Sequence, residues 1–239
     1  MKKNIILFIL SLILLFSNCI FDEDSNDDRK DGQSYAENYL PSSLDGSVYK
    51  IQSVKFDNLS SVGDTLIFTA SISGPVMMDG HEYYTISSPD VSETLKFCVE
   101  TNNIYLLVEG NMFPVVGSNP DTPFGYNSKF FDFSVSQGNK YDILDWGTTT
   151  DELYILYHFT GEFLGYETVE TQLGEFKDCA KFQIQYNNTF TSNEGGLVTN
   201  YSRTETYWFA PNTGPVKRVG ENFNNGNLLD TTTEEWIDF

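Results

Sequence analysis

Histidine occurs twice and cysteine three times in these 239 residues, which leaves little material for a transition-metal site. Basic residues are scarce too: 14 Lys and Arg face 34 Asp and Glu, for a formal charge of −20. So acidic a chain is a poor nucleic-acid binder, because phosphate contacts need clustered Lys and Arg. No G-x-S-x-G elbow occurs, and neither His81 nor His158 belongs to an H-E-x-x-H pair. No D-x-[DN]-x-[DN]-G loop is present, so the oxygen-rich stretches at Asp142 and Asp145 and over residues 231–235 read as solvated surface. A Cys179–His158 dyad is formally open, but a histidine among strand aromatics is ordinarily structural. No catalytic residue, metal or cofactor is expected. What the chain has instead is 19 Phe, 14 Tyr and 3 Trp within a 40% hydrophobic composition, too apolar for a disordered protein.

The N-terminus reads as an address. Met1-Lys2-Lys3 is a short positive segment, and residues 4–16 are almost unbroken apolar. That run is shorter than the roughly 20 residues a membrane-spanning helix needs. Leu15-Phe16-Ser17-Asn18-Cys19 follows, and then the acids begin at Asp22. The arrangement resembles a bacterial lipoprotein signal peptide, with Phe16 and Asn18 as a relaxed form of the box before the cysteine. The resemblance implies removal of residues 1–18 and lipidation of Cys19, palmitate included, on a protein of the bacterial outer membrane. Two or more acyl chains suffice for stable anchoring, at ~0.8 kcal/mol per buried CH₂. Residues 19–39 then form a tether. Seven acids (Asp22, Glu23, Asp24, Asp27, Asp28, Asp31, Glu37) against Arg29 and Lys30 give a self-repelling spacer with little apolar surface to bury.

Residues 40–239 read as one all-β domain. Short runs of Tyr, Phe, Val, Ile and Thr recur at the 8–12-residue spacing of antiparallel sheets. They cover 47–56, 65–73, 81–87, 94–99, 104–108, 129–135, 152–159, 163–168, 179–186, 198–209, 216–223 and 228–236. Turn signals separate them, at Ser73-Gly74-Pro75, Asp79-Gly80, Gly138-Asn139, Gly195-Gly196 and Asn225-Gly226. The last is a type I′ hairpin dipeptide. Residues 111–127, with three prolines and two glycines, are the expected lid or excursion.

Two runs are apolar on both faces: Ile104-Tyr105-Leu106-Leu107-Val108 and Leu153-Tyr154-Ile155-Leu156-Tyr157. Such strands are covered on both sides or line an enclosed cavity. Tyr105, Leu107, Tyr154 and Leu156 are therefore the expected lining of an apolar pocket, with Leu106 and Ile155 in the core. The predicted architecture is a curved antiparallel sheet or partial (half) β-barrel. Cys98 and Cys179 both fall on the polar parity of their strands, which leaves open a disulfide in an oxidising compartment or two unpaired thiols. The aromatic clusters Tyr83-Tyr84, Phe130-Phe131-Asp132-Phe133 and Tyr207-Trp208-Phe209 fit a core better than a ligand groove.

One pattern is recognisable. Gly174-Glu175-Phe176-Lys177-Asp178-Cys179-Ala180-Lys181 precedes Trp208-Phe209-Ala210-Pro211-Asn212-Thr213-Gly214-Pro215-Val216-Lys217. Together they resemble the TapB-like group of bacterial envelope proteins, which share G-x-F-x-D-C-x-K followed by W-[YF]-A-P-x-x-G-x-V-K. Asn212 stands where the group tends to have Gly, and Pro215 where Leu is common. The resemblance implies a β-rich fold, in the manner of the half-barrels of LolA-like lipoprotein carriers, and no enzymatic chemistry. Physically the residues look structural. Ala210-Pro211 ends a strand, and Asn212-Thr213-Gly214 turns, Asn tolerating the left-handed region there. The sequence as a whole predicts a lipid-anchored, non-enzymatic envelope protein that binds an apolar ligand or an envelope protein. The alternative is a chaperone-like assembly component of surface machinery.

Overall fold

The computed structural model describes residues 36–57, 63–78, 80–89, 91–108, 126–149 and 153–238. Residues 1–35, with Cys19 and most of the tether, and nearly all of the proposed lid at 111–127 lie outside them. The described chain forms twelve strands: β1 (Val48–Asp57), β2 (Asp64–Met78), β3 (His81–Ser88), β4 (Val91–Glu100), β5 (Asn103–Val108), β6 (Tyr126–Asp132), β7 (Lys140–Thr149), β8 (Leu153–Thr171), β9 (Gly174–Ser192), β10 (Leu197–Ala210), β11 (Gly214–Asn224) and β12 (Asn227–Asp238). The helical exception among the described residues is one 3₁₀ turn, Ala36–Tyr39.

All twelve strands belong to one sheet, in the order β6-β5-β4-β3-β2-β1-β12-β11-β10-β9-β8-β7. Every described pairing is antiparallel, and the fold is all-β as the sequence predicts. The two outermost strands are consecutive in the chain. Laid flat at ~4.8 Å per strand, β6 and β7 would stand ~53 Å apart. The link between them is residues 133–139, whose reach is at most ~29 Å at 3.6 Å per residue. The sheet must therefore curl until its edges meet, and the result is a nearly closed barrel.

Where the edges meet, side chains take over from the backbone ladder. Ser128 donates to the Ile143 carbonyl at 2.6 Å, and Tyr141 donates to the Phe130 carbonyl at 2.8 Å. The Asp132 amide in turn donates to the Tyr141 hydroxyl at 3.3 Å. Burial drives the Tyr141 hydroxyl pKa far above its ordinary value, opposed by that amide and assisted by the Asp132 charge. It stays a neutral hydroxyl, fit to donate.

Alternation sets the inner face. Ala180, Phe182, Ile184 and Tyr186 on β9 point inward with Tyr207 and Phe209 on β10 and Phe68, Ala70 and Ile72 on β2. The inner face is filled by aromatic side chains packed edge to face. Phe131 sits 5.5, 5.1 and 4.8 Å from the rings of Phe182, Tyr207 and Phe209, and Phe133 is 4.7 Å from Phe182. The aromatic runs thus supply core. Leu106 and Ile155 are fully buried there.

Several boundaries differ from the sequence reading. Residues 140–149 form β7, which its acids, Asp142 and Asp145, and Gly147 conceal. The segments at 152–159 and 163–168 are one 19-residue strand. Gly161 does not break it, because Tyr141 on the neighbouring strand lies over that glycine and would collide with any Cβ. The same arrangement recurs where the Tyr154 hydroxyl covers Gly147. Gly74-Pro75 is a bulge within β2, not a turn. The tether ends sooner than expected: Ala36, Tyr39 and Leu40 are buried, and Tyr39 stacks 5.3 Å from Phe133. The Ala36 amide donates to the Thr101 carbonyl, so the folded domain begins by Ala36.

Truncation of the core should show how solid it is. Leu106→Ala and Ile155→Ala should each cost ~2–5 kcal/mol in chemical denaturation. Tyr154→Ala, at a position 42% exposed, should cost under ~1 kcal/mol.

Candidate functional site

Three places concentrate chemistry-bearing side chains, and the first is the recognisable motif. Past a bulge at Gly165, the β8–β9 hairpin continues to a turn closed by Gly174, whose φ is 120°. Its outward residues meet the corner of β10 and β11. Val169, Cys179, Ala210 and Val216 form a small buried cluster, with Phe176 and Trp208 packed against it. Glu167 accepts from Trp208 Nε1 at 2.5 Å and pairs with Lys181 at 3.1 Å, while the Lys181 ammonium lies 5.2 Å from the Trp208 ring centre. Burial opposes the ionised carboxylate, but those donors outweigh it and hold Glu167 below its usual range. Further along, Lys217 pairs with Glu235 at 2.8 Å, and Gln172 reaches Gln52 on β1 at 2.8 Å. The corner itself holds Asn212 at φ 53° and Gly214 at φ 98°. The Asn212 amide donates to the Asn38 carbonyl at 2.8 Å, and Pro211 is half-buried beside it. Phe176, Cys179 and Trp208 meet in that cluster, and Pro211 and Gly214 lie in the corner between its members Ala210 and Val216, while Gly174 stands at the exposed tip of the hairpin arm and Lys217 turns to Glu235.

The second place is a charged tier inside the barrel, which sequence reasoning missed. Arg218 gives Nε to Glu234 at 3.0 Å and Nη2 to the same carboxylate at 2.8 Å. Its Nη1 donates to Glu205, which also takes Arg203 at 2.5 Å and the hydroxyls of Tyr186 and Tyr207 at 2.8 and 2.5 Å. Ser53 on β1 donates to Glu234 at 3.4 Å. Glu205, Arg218 and Glu234 are all essentially inaccessible to water. Gly220 leaves room for the tier, since a Cβ there would lie 3.2 Å from Arg203 Nη2 and 3.5 Å from Arg218 Nη1. Burial works against the Glu205 charge, yet Arg203, Arg218 and the two tyrosines hold its pKa below the ordinary value. Burial and the Glu205 charge push both tyrosines well above theirs. The signal in the sequence was parity: Arg203 and Glu205 share the face of Tyr207 and Phe209, and Glu234 that of Trp236.

The third place is the outer face of β3–β5. Tyr83, Cys98 and Leu107 are buried together there, bordered by Met78 and Tyr105, with His81 Nδ1 2.5 Å from Glu100 at the rim. Cys98 and Cys179 are both free and lie in separate clusters, so the disulfide left open by the sequence is not formed. Burial pushes their thiols up, Cys98 to about 11 with help from Glu100, Cys179 to about 12 with help from Asp178 and Glu167. The Cys179–His158 dyad fails on distance: His158 pairs with Asn187, eight residues from Cys179 along β9, or ~26 Å of strand. The expected apolar pocket is not assembled either. Tyr105 and Leu107 stand on the outer face of β5, while Tyr154 is exposed and Leu156 half-buried on the outer face of β8. The strand's parity placed all four away from the core, and β8 is uncovered on that side.

No family model matches the chain, and no curated protein matches its sequence. The resemblance of the C-terminal motif to the TapB-like group therefore rests on those residues alone. Among solved structures, the chain is similar to a "putative lipoprotein" from Parabacteroides distasonis, at 16% identity and TM-score 0.41, over 84% of this chain and 99% of that one. It is similar to a "putative exported protein with YmcC-like fold" from Bacteroides fragilis, also at 16% identity, with TM-score 0.42 over 84% and 98%. A LolA superfamily protein from Nitrosomonas europaea matches at 10% identity and TM-score 0.26, over 84% and 88%.

The charged tier has a definite pH signature. Because the folded-state pKa of Glu205 is lowered, its contribution is complete above the unfolded value near ~4.3 and is lost as pH falls through the folded value. Glu205→Gln should cost ~3–5 kcal/mol at neutral pH, because Arg203 loses its carboxylate and the tier keeps one uncompensated positive charge. In denaturation followed by circular dichroism the variant should also lose part of the wild-type stability decline between pH 5 and 3.

Proposed function

We propose that the protein is a non-enzymatic envelope protein, anchored in the bacterial outer membrane through acylated Cys19, whose barrel binds an apolar ligand. The observation that carries the reading is the seam between β6 and β7. Every other neighbouring pair of strands in the sheet is joined by a backbone ladder. At this seam the edges are held by Ser128, Tyr141 and the Asp132 amide. Each such bond contributes ~0.5–1.5 kcal/mol net, so the polar bonds across this seam hold it less firmly than a whole ladder would. Behind the seam lie Phe130 and Phe131, with Tyr186 6.2 Å from Phe130. An apolar chain entering there would meet aromatic faces at once.

The non-catalytic half of the reading is supported by the thiols. Both are buried and held protonated, and the Cys179–His158 pair is separated by a strand's length. The pocket residues expected from sequence have no part in this reading, which places the ligand on the inner face. Lipid anchoring is supported by the signal-like N-terminus, and the acidic tether up to residue 35 would hold the domain clear of the membrane.

Two measurements test this. Cys19→Ser should abolish incorporation of labelled palmitate and release the protein from membranes; labelling that persists would overturn the anchor. For the barrel, native mass spectrometry of protein extracted from cells should show a co-purifying lipid or other apolar ligand. Tyr141→Phe, which loosens the seam, should speed uptake and release of a fluorescent fatty acid severalfold. If no apolar ligand binds either protein, and a stoichiometric envelope partner is recovered instead, the chaperone-like assembly reading replaces it.

A further inference from the structure

The outer-face cluster on β3–β5 contains a set of ligand atoms that the count of histidines and cysteines conceals. Cys98 and Glu100 are two apart on β4 and so project from the same face. Tyr84 is paired with Phe97, and stepping back three residues along β3 brings His81 opposite Glu100 and diagonal to Cys98. The two hairpin ends that carry them are tight: Gly80 has φ 86° and Thr101 φ 38°. One nitrogen of His81, the Cys98 sulfur and a Glu100 oxygen all lie within 4.8 Å of one another.

We propose that His81, Cys98 and Glu100 form a three-ligand site for a late first-row divalent ion, with Zn²⁺ as the ion of reference. The donor set is that of such ions: one thiolate, one imidazole and one carboxylate. A tetrahedral ion at ~2.0–2.3 Å from each donor needs ligand atoms ~3.3–3.8 Å apart. No pair of the three ligand atoms is farther apart than 4.8 Å, and the 2.5 Å His81–Glu100 contact opens to admit the ion. Cys98 is held in place by burial among Tyr83 and Leu107, while the side chains of His81 and Glu100 are 41% and 43% exposed. The sulfur therefore forms the inner wall, and a small ion reaches it from solvent as the exposed His81–Glu100 pair parts. Met78, paired with His81 across β2 and β3, borders the same cluster.

The same three residue types also occur together as a nucleophile, a base and an orienting acid. That alternative fits poorly. Cys98 has almost no exposed surface, so a substrate carbon has no approach to its sulfur. Its thiol, raised by burial and by Glu100, is the opposite of an activated nucleophile. A bound cation reverses this, because coordination removes the thiol proton and neutralises the repulsion from Glu100.

The test uses the reduced, purified full chain titrated with Co²⁺ and then Zn²⁺. One equivalent of Co²⁺ should give a thiolate-to-metal charge-transfer band, and one equivalent of Zn²⁺ should abolish it. Cys98→Ser should eliminate the band and Cys179→Ser should leave it intact. His81→Ala and Glu100→Gln alter exposed side chains and should keep the melting temperature of the metal-free protein. Each should weaken Zn²⁺ binding ~10-fold or more. A chain with no charge-transfer band, or a band that survives Cys98→Ser, would overturn the assignment. So would Zn²⁺ affinity unchanged in both His81→Ala and Glu100→Gln.

Discussion

The ladder between β1 and β12 is the pairing on which the rest of the molecule depends. Every other described ladder joins strands that follow one another in the chain. β1 and β12 are separated by nearly the whole domain, yet they pair from Lys50 opposite Asp238 to Asp57 opposite Asp230. Two six-stranded meanders become one sheet only through that contact. Closing so long a loop costs entropy that local contacts do not repay. The compensating interactions cluster at the junction. Ser53, Glu234, Arg218, Glu205 and Tyr186 run as a chain of hydrogen bonds from β1 across β12, β11 and β10 to β9.

That chain of charges also specifies register. A one-residue slip of β12 against β11 would turn Glu234 outward and leave Arg218 buried without its bidentate partner, at a cost of several kcal/mol. Apolar residues at those positions would tolerate the slip better. Gly220 belongs to the same device, since a side chain there would crowd the two guanidinium groups. On the outer face, the β8–β9 arm adds a second clamp, through Glu167, Trp208 and Lys181 and through Gln172 on Gln52. Inner tier and outer arm hold the β9–β1 half of the sheet from both sides. Among the described residues, the β6–β7 seam is bridged by Ser128 and Tyr141 rather than by a backbone ladder.

Much of this architecture was legible in the residues. Alternation such as Ala180, Phe182, Ile184 and Tyr186 shows a strand with one buried face, because side chains alternate along extended backbone whatever surrounds them. Asn225-Gly226 and Asn212-Thr213-Gly214 show turns for an equally local reason, and the structure places Asn212, Gly214, Asn225 and Gly226 at positive φ. What failed were inferences that needed a neighbour. The runs 152–159 and 163–168 looked separate because nothing in that segment reveals that Tyr141 covers Gly161. β7 looked like surface because Asp142 and Asp145 point away from the core that Ile143 and Leu144 enter.

The sequence by itself determined the all-β class, most strand faces, the tight turns and the burial of Leu106 and Ile155. Each follows from short-range sterics or from a hydrophobic period. Tertiary structure alone decided the near closure of the curved sheet at β6 and β7, the separation of Cys98 from Cys179 and the exposure of Tyr154. It also decided the meeting of His81 with Cys98 and Glu100. These depend on which strands become neighbours and which face becomes concave. Both are set by the pairing of β1 with β12 and by a link of residues 133–139 too short for a flat sheet, and neither leaves a local trace in the chain.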